Sequence, residues 1–434
     1  MRFYSTKNKS LQANLKEAVL RGLAPNGGLF MPLEIPLLPQ NFLKNLKGLS
    51  FKEAALEMAK PFLRDDFSLF EIEQLIERAF PFSAPLQSLT DNLHVLELFH
   101  GPTLAFKDFG AQFMAALTER FTQKQDQELT VLVATSGDTG SAVAHGFYRK
   151  QGVRVVLLYP SGMVSEIQEK QLTTLGANVT ALEIEGTFDD CQWLVKQAFN
   201  DADLRQKLLL TSANSINIAR LLPQSFYYAY AVAQLPEMQQ PIVISVPSGN
   251  LGNLTGGLLA QRMGIPVSRF VSAMNTNDVF MEYLQTGRLR PRIVRPTLSN
   301  AMDVGNPSNF YRILDLFDQD HEKIKNAIYG ASFTDEETRL AIKQAYEKFS
   351  YIFDPHSAVG FLAMEKFRTE MPANKWQGII LETAHPAKFK PIVEQSGVPD
   401  VPVPYRLAAT LNKEKKAIKF SKSFDDFKEW LLNF

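Results

Sequence analysis

The 434-residue chain reads as an α/β protein: two parallel-sheet domains with a cleft between them, plus a mainly helical N-terminal region. Three observations predict this. Short, β-branched and nearly continuously apolar runs recur along the chain, the texture of strands buried on both faces. Stretches of helical length separate them, as parallel crossovers require. The runs fall into two groups, before and after a long helical stretch near 216–236, which predicts two sheets.

In order along the chain, LQANLKEAVLRGLA and SFKEAALEMAKPFL place apolar residues three and four apart and read as helices. The Pro- and Gly-rich PNGGLFMPLEIPLLPQ between them reads as loop or extended chain. Residues 1–90, without strand–helix alternation of their own, are expected to form a helical cap domain. The texture changes at HVLELF, near 94, followed by the helical AFKDFGAQFMAALTERF. The remaining strand segments are LTVLVA (129–134), VRVVLLY (153–159), NVTALEIE (178–185), PIVISV (241–246), RFVSAM (269–274) and QGIILE (377–382). The expected division is a smaller α/β domain over 116–235 and a larger one built from 91–115 and 236–434.

Composition excludes several classes. Lys+Arg and Asp+Glu are 46 each, so the basic excess of a nucleic-acid binder is missing. A single cysteine, Cys191, leaves no intrachain disulfide and no Cys-based metal site; on its helical pattern it reads as a small buried hydrophobe. The six histidines show no metal-ligand spacing, and no metal is expected. MRFYSTKNKS lacks a signal-peptide core, and no run approaches ~18 apolar residues, so a cytoplasmic protein without membrane or nucleic-acid partners is expected. The locally basic tail AATLNKEKKAIKFSKSF reads as solvated surface.

Two strand–loop–helix junctions carry glycine. In VISVPSGNLGNLTGG, Ser248, Gly249, Asn250, Leu251, Gly252 and Asn253 form a turn that lets backbone approach a ligand and offers helix N-terminal N–H groups to an anion such as phosphate. TVLVATSGDTGSAVAHGF repeats the design over Thr135–Ser141. Spacing alone fits a plain strand-to-helix turn equally well, and matches neither Walker A nor the dinucleotide fingerprint. In HGPTLAFKDFG, Lys107 lies between Phe106 and Phe109; burial would lower its pKa and make it a usable amine, the alternative being a lysine reaching solvent beside Asp108.

HGPTLAFKDFG, ATSGDTGSAVAH, SANSINIARLLPQ, VPSGNLGNLTGG, TLSNAMDVGNPSN and TAHPAKF, in this order, together with the opening YST…LKEAVLRGLAPNGGLFMP, resemble the bacterial and fungal threonine synthases over essentially the whole chain. The resemblance implies a fold type II pyridoxal 5'-phosphate enzyme, a lyase converting O-phospho-L-homoserine and water to L-threonine and phosphate, commonly a monomer, with a dimer as the alternative. It makes Lys107 the Schiff-base lysine and proton shuttle. Ser248 and the Gly249–Asn253 loop would hold the cofactor phosphate, and Thr383 would meet the ring nitrogen. Ser136, Gly137, Asp138 and Thr139 match the loop that embraces the substrate carboxylate. Asp138 would also approach the cofactor's 3-hydroxyl, where many relatives of the wider fold type have Asn; a shared proton or a carboxylate turned aside is expected there. Candidates for the substrate phosphate are Thr139, Ser165, Lys170, Asn214, Ser215, Asn217 and Arg220, the alternative for Arg220 being a surface ion pair. SGMVS departs from the RGKIS-like pattern of some relatives, which moves weight from 162–164 to Lys170 and Arg220. His100 and His385 are expected to support the cofactor region.

Two other functions remain open on sequence. One is a related phospho-lyase releasing 2-oxobutyrate; the other is a non-catalytic relative binding a phosphate compound. The intact Lys107 and both glycine loops argue against the second.

Overall fold

The computed structural model describes residues 1–123, 127–237, 239–371 and 376–433. It opens with an antiparallel sheet of β1 (Arg2–Ser5), β2 (Asn8–Asn14) and β3 (Phe30–Pro32), with β1 in the middle. This sheet is a difference from the sequence expectation. LQAN belongs to β2, and the helix begins only at Leu15, where the Asn14 side chain caps the Glu17 N–H and Glu17 reciprocates. Helices still supply most of the region's regular structure, chiefly Phe51–Leu63 and Leu69–Ala79, both started by Ser/Glu capping boxes.

β4 (Leu86–Thr90) and β5 (Leu93–Glu97) form an antiparallel pair. β6 (Leu129–Ala134), β7 (Val153–Pro160), β8 (Val179–Ile184) and β9 (Leu209–Ser212) follow as a parallel group. Then come β10 (Ile242–Pro247), β11 (Arg269–Met274), β12 (Ile328–Ser332), β13 (Gln377–Glu382) and β14 (Ile418–Phe420). The larger sheet runs β12-β11-β10-β13-β5-β4, parallel except for its β4 edge. The smaller runs β14-β8-β7-β6-β9, all parallel. β6, β10 and β13 are buried at every position, as their unbroken apolar texture requires. The short strands β9, β12 and β14 carry too few apolar residues in a row to stand out.

The position of β14 corrects the assignment of 236–434 to the larger domain. β14 extends the smaller sheet beside β8, and Phe427 and Leu431 of the last helix, Phe424–Asn433, pack in one cluster with Cys191 and Leu194. The basic tail is therefore structural: Lys415 bridges Glu169 (2.7 Å) and Glu183 (2.8 Å). Cys191 is buried, which pushes its thiol up to about 12 and leaves it inert. Among the described residues no helix is long and apolar enough to cross a membrane.

The phenylalanines position the site. Phe109 meets Phe51 (5.2 Å) of the N-terminal helix Phe51–Leu63, Phe82 (5.0 Å) and Tyr227 (5.5 Å) of the helix Gln224–Ala233 in edge-to-face contacts, so the helix Lys107–Thr122 is held from both sides.

Candidate active site

Lys107 opens that helix, and the chain before it is fixed by backbone. Phe106 N–H donates to Thr383 O (2.9 Å) and His385 N–H to Leu104 O (3.0 Å), which sets Lys107 beside the carboxyl end of β13. Open α/β sheets bind ligands at this edge. Asp108 does not pair with Lys107. It accepts Thr103 N–H (2.8 Å) and Thr103 Oγ1–H (2.7 Å), and burial raises it to about 6. Lys107 is mostly buried, its side chain only 16% exposed: burial lowers its pKa, Lys388 and Arg220 lower it further, and Asp138 opposes them. Burial alone would raise Asp138, but Lys388 and Lys107 outweigh that and hold it well below the usual carboxylate range. Asp138 is thus held as a charged carboxylate by its protein neighbours, with Oδ1 2.6 Å from Lys388 Nζ and Oδ2 3.7 Å from Lys107 Nζ.

The loop after β10 has an anion-binding shape. Ser248 donates its N–H to Ala273 O and its hydroxyl to Val246 O, so both its donors are used within the scaffold. The five N–H groups of Gly249, Asn250, Leu251, Gly252 and Asn253 have no acceptor among the described residues. Leu251 turns the chain in the left-handed region (φ 60°) into the helix Gly252–Arg262. Side chains lock the turn: Asn250 donates to Ser215 Oγ (2.6 Å) and accepts Ser308 N–H (2.5 Å), and Asn253 donates to Pro247 O (2.7 Å). Asn250 and Asn253 therefore offer a ligand their backbone, not their amides. A Cβ on Gly249 would come within 2.8 Å of Met302 Cα, so glycine is required there.

The loop after β6 is partly self-satisfied. Thr135 Oγ1 accepts the N–H of Gly137 (3.0 Å) and of Gly140 (2.8 Å). That turns Gly137 inward and leaves the N–H groups of Ser136, Asp138 and Thr139 without acceptors among the described residues. Gly137 has φ 138°, and a Cβ would strike Gln168, which donates to Asp138 Oδ1 (3.0 Å).

The other candidates divide. Arg220 is buried, not a surface ion pair: Nη1 donates to Ala213 O (2.5 Å), Nε has no partner among the described residues, and burial lowers its pKa to about 10. Asn214 Oδ1 is likewise buried without a partner. Thr383 has its N–H on Ser357 Oγ (2.9 Å) and its O on Phe106, while its hydroxyl makes no hydrogen bond among the described residues. Four candidates are committed elsewhere. Ser165 is an exposed cap for Gln168 N–H. Lys170 donates to Lys413 O (2.7 Å), and Asn217 caps Ala219 N–H while donating to Val19 O (2.9 Å) and Ser212 O (3.0 Å). Ser215 is spent on Asn250.

His385 caps the turn Pro386–Phe389 and packs edge-on against Phe99; burial lowers it to about 4. His100 pairs with Glu97 (2.8 Å). Lys388 was missed by sequence reasoning although it stands in TAHPAKF; an isolated lysine in an apolar segment gives no spacing signal. Gln168, in a polar stretch, gives none either.

Three family descriptions match the chain: "Threonine synthase N terminus" over residues 2–80, "Pyridoxal-phosphate dependent enzyme" over 81–381, and "Threonine synthase, C-terminal" over 357–430. The threonine synthase of Escherichia coli (strain K12) is 44% identical over 395 residues, covering 91% of this chain and 90% of that protein. That of Serratia marcescens is 42% identical over 433 residues, covering 100% and 99%. Among solved structures, the threonine synthase from Escherichia coli superposes with a TM-score of 0.91 at 41% identity, each chain covered completely. The PLP-bound threonine synthase from Brucella melitensis gives 0.92 at 32% identity, covering 100% and 99%.

Proposed function

The chain belongs to the threonine synthase family and is a pyridoxal-phosphate-dependent lyase, and we propose that its substrate is O-phospho-L-homoserine, converted with water to L-threonine and inorganic phosphate. The observation that carries the reading is one of placement. A mostly buried lysine of lowered pKa, a nest of five unpaired N–H groups and an unpaired threonine hydroxyl gather at the carboxyl ends of the neighbouring strands β13 and β10.

These residues fit the cofactor. The Gly249–Asn253 N–H groups and the helix N-terminus behind them suit a phosphate dianion. Lys107 would carry the cofactor's aldehyde carbon, and the Thr383 hydroxyl would meet the ring nitrogen as a neutral partner. Bound pyridoxal phosphate supplies the electron withdrawal that makes the substrate's α C–H acidic. Lys107, whose pKa is lowered by burial, Lys388 and Arg220 against the opposing Asp138, would take and return protons within hydrogen-bond reach. The N–H groups of Ser136, Asp138 and Thr139 suit the substrate carboxylate. Arg220, whose buried Nε–H has no partner among the described residues, suits the substrate phosphate, and its fork matches the phosphate geometry.

The test is to incubate the protein with O-phospho-L-homoserine and quantify phosphate, threonine and 2-oxobutyrate together. Phosphate and threonine in equal amounts, lost in Lys107→Ala, is the expected result. Phosphate accompanied by 2-oxobutyrate, or no phosphate at all, overturns the reading.

A further inference from the structure

One fully enclosed cation at this site leaves no mark in the sequence. Lys388 lies in the short turn Pro386–Phe389 after β13, with its side chain fully buried. Its Nζ donates to Thr103 O (3.0 Å) and sits 2.6 Å from Asp138 Oδ1. Lys388 follows a strand of the larger sheet, and Asp138 follows one of the smaller, so the pair ties the two together across the site. Gln168 adds a second donor to the same oxygen at 3.0 Å. The other oxygen faces Lys107 Nζ at 3.7 Å, beyond hydrogen-bond length.

The asymmetry matters chemically. A buried carboxylate whose one cation was Lys107 would hold that lysine as an ammonium, because an opposite charge nearby favours the charged form. An ammonium can neither attach an aldehyde nor accept a proton. With Lys388 and Gln168 on Oδ1, the carboxylate is drawn to the far side and its charge is matched there. The other titratable groups facing this cluster do not replace Lys388. Asp108 is occupied by Thr103, Arg220 is itself a cation depressing Lys107, and His145 and His385 are both lowered to about 4 by burial.

We propose that Lys388 is a positioning residue that holds the Asp138 carboxylate off Lys107, leaving the Lys107 nitrogen able to carry the cofactor and to exchange protons. The inference rests on the reading of Lys107 as the cofactor lysine. It also accounts for a carboxylate at position 138, since a carboxylate matched by a buried lysine presents no net negative charge to an anionic group.

The experiment is a pH titration of the visible absorption of the holoenzyme, which reports the proton on the nitrogen joining Lys107 to the cofactor. Lys388→Gln should raise the midpoint by about one pH unit or more, the size expected for releasing a buried opposite charge onto its neighbour. Lys388→Met, of matching length, serves in its place if the glutamine variant does not fold. In an Asp138→Asn background the same Lys388 substitution should move the midpoint far less, because the carboxylate it restrains is gone. Lys388→Arg, which keeps the charge, should restore most of the wild-type midpoint. Equal shifts in both backgrounds mean that Lys388 acts on Lys107 by direct repulsion, and overturn the proposal. No shift in either background means a packing role, and overturns it too. A wild-type protein with no visible cofactor band would instead defeat the reading of Lys107, so the two failures are distinguishable.

Discussion

Replacing Arg220 by methionine should separate substrate binding from folding. Burial brings this guanidinium from 12.5 down to about 10, and at about 1.4 kcal/mol per unit the enclosed cation costs the fold about 3 kcal/mol. Against that stands the hydrogen bond from Nη1 to Ala213 O, which for a charged donor contributes about 1.5–3 kcal/mol. Methionine fills comparable volume and strands no charge, so the net change in stability should be about 1 kcal/mol or less. The substrate phosphate, by contrast, would lose two charge-assisted hydrogen bonds from the guanidinium fork, about 3–6 kcal/mol together. That is a fall of about 10²–10⁴-fold in kcat/KM. Initial rates of phosphate release, taken beside thermal unfolding and cofactor absorbance of the same preparation, make the comparison. A variant that unfolds early, yet turns over substrate like wild type per folded molecule, would refute the assignment and make Arg220 a structural cation.

Three further outcomes are expected. Gly249→Ala puts a Cβ 2.8 Å from Met302 Cα and 3.0 Å from Ala301 O, both backbone atoms, so the loop must shift. Overpacking of this kind costs about 1–3 kcal/mol and should weaken cofactor binding tenfold or more in equilibrium dialysis. Asn217→Ala removes a cap, takes the amide donor from Ser212 O and leaves Val19 O with only the longer Thr211 hydroxyl contact (3.4 Å), so denaturant melts should show a loss of about 2–3 kcal/mol while KM stays unchanged. His145, lowered by burial to about 4, is neutral in the native state and protonates on unfolding once the pH falls below its usual 6.5. The unfolded state then binds the extra proton, so stability is full above about 6.5 and falls as pH drops towards 4. His145→Leu should flatten the acid limb of stability against pH by one proton; an unchanged slope would show that His145 does not titrate there.

The buried parallel strands were legible because nothing but burial on both faces explains runs such as LTVLVA and QGIILE, and β6, β11 and β13 match those runs residue for residue. β14 was hidden for the opposite reason: IKF lies among lysines, one of which, Lys415, is matched by Glu169 and Glu183 from a remote part of the chain. The last four residues of β2, LQAN, read as helix because they continue the apolar spacing of LKEAVLRG, and the capping by Asn14 that breaks it depends on one side chain. At the site, the glycine loops announced themselves through residues that only a close backbone approach requires. Side chains reaching between elements left no such mark. Ser165, Lys170 and Asn217 have the right chemistry in the right segments, yet a helix cap, a tail carbonyl and the N-terminal backbone claim them first.

The N-terminal region is less of a separate cap than its sequence suggests. The segment that carries Asn214 and leads to Arg220 is irregular backbone, and its carbonyls need donors if it is to stay buried. Arg312 supplies them. Its guanidinium, with no carboxylate at ion-pair distance among the described residues, donates to Ser215 O (3.3 Å), Ile216 O (2.7 Å), Phe30 O (3.0 Å from Nη2) and Asn309 Oδ1 (2.7 Å). Burial lowers it to about 9, a cost that only several strong acceptors can offset. Asn309 in turn donates to Asn250 O (3.0 Å) in the Gly249–Asn253 turn, and Asn217 holds Val19 O on the other side. One buried cation therefore joins β3, the 213–217 segment and the turn after β10 in a single network. The N-terminal region contributes two backbone carbonyls, Phe30 O from β3 and Val19 O from the helix Leu15–Arg21, and no chemistry, and that role is invisible to any reading that looks for reactive side chains.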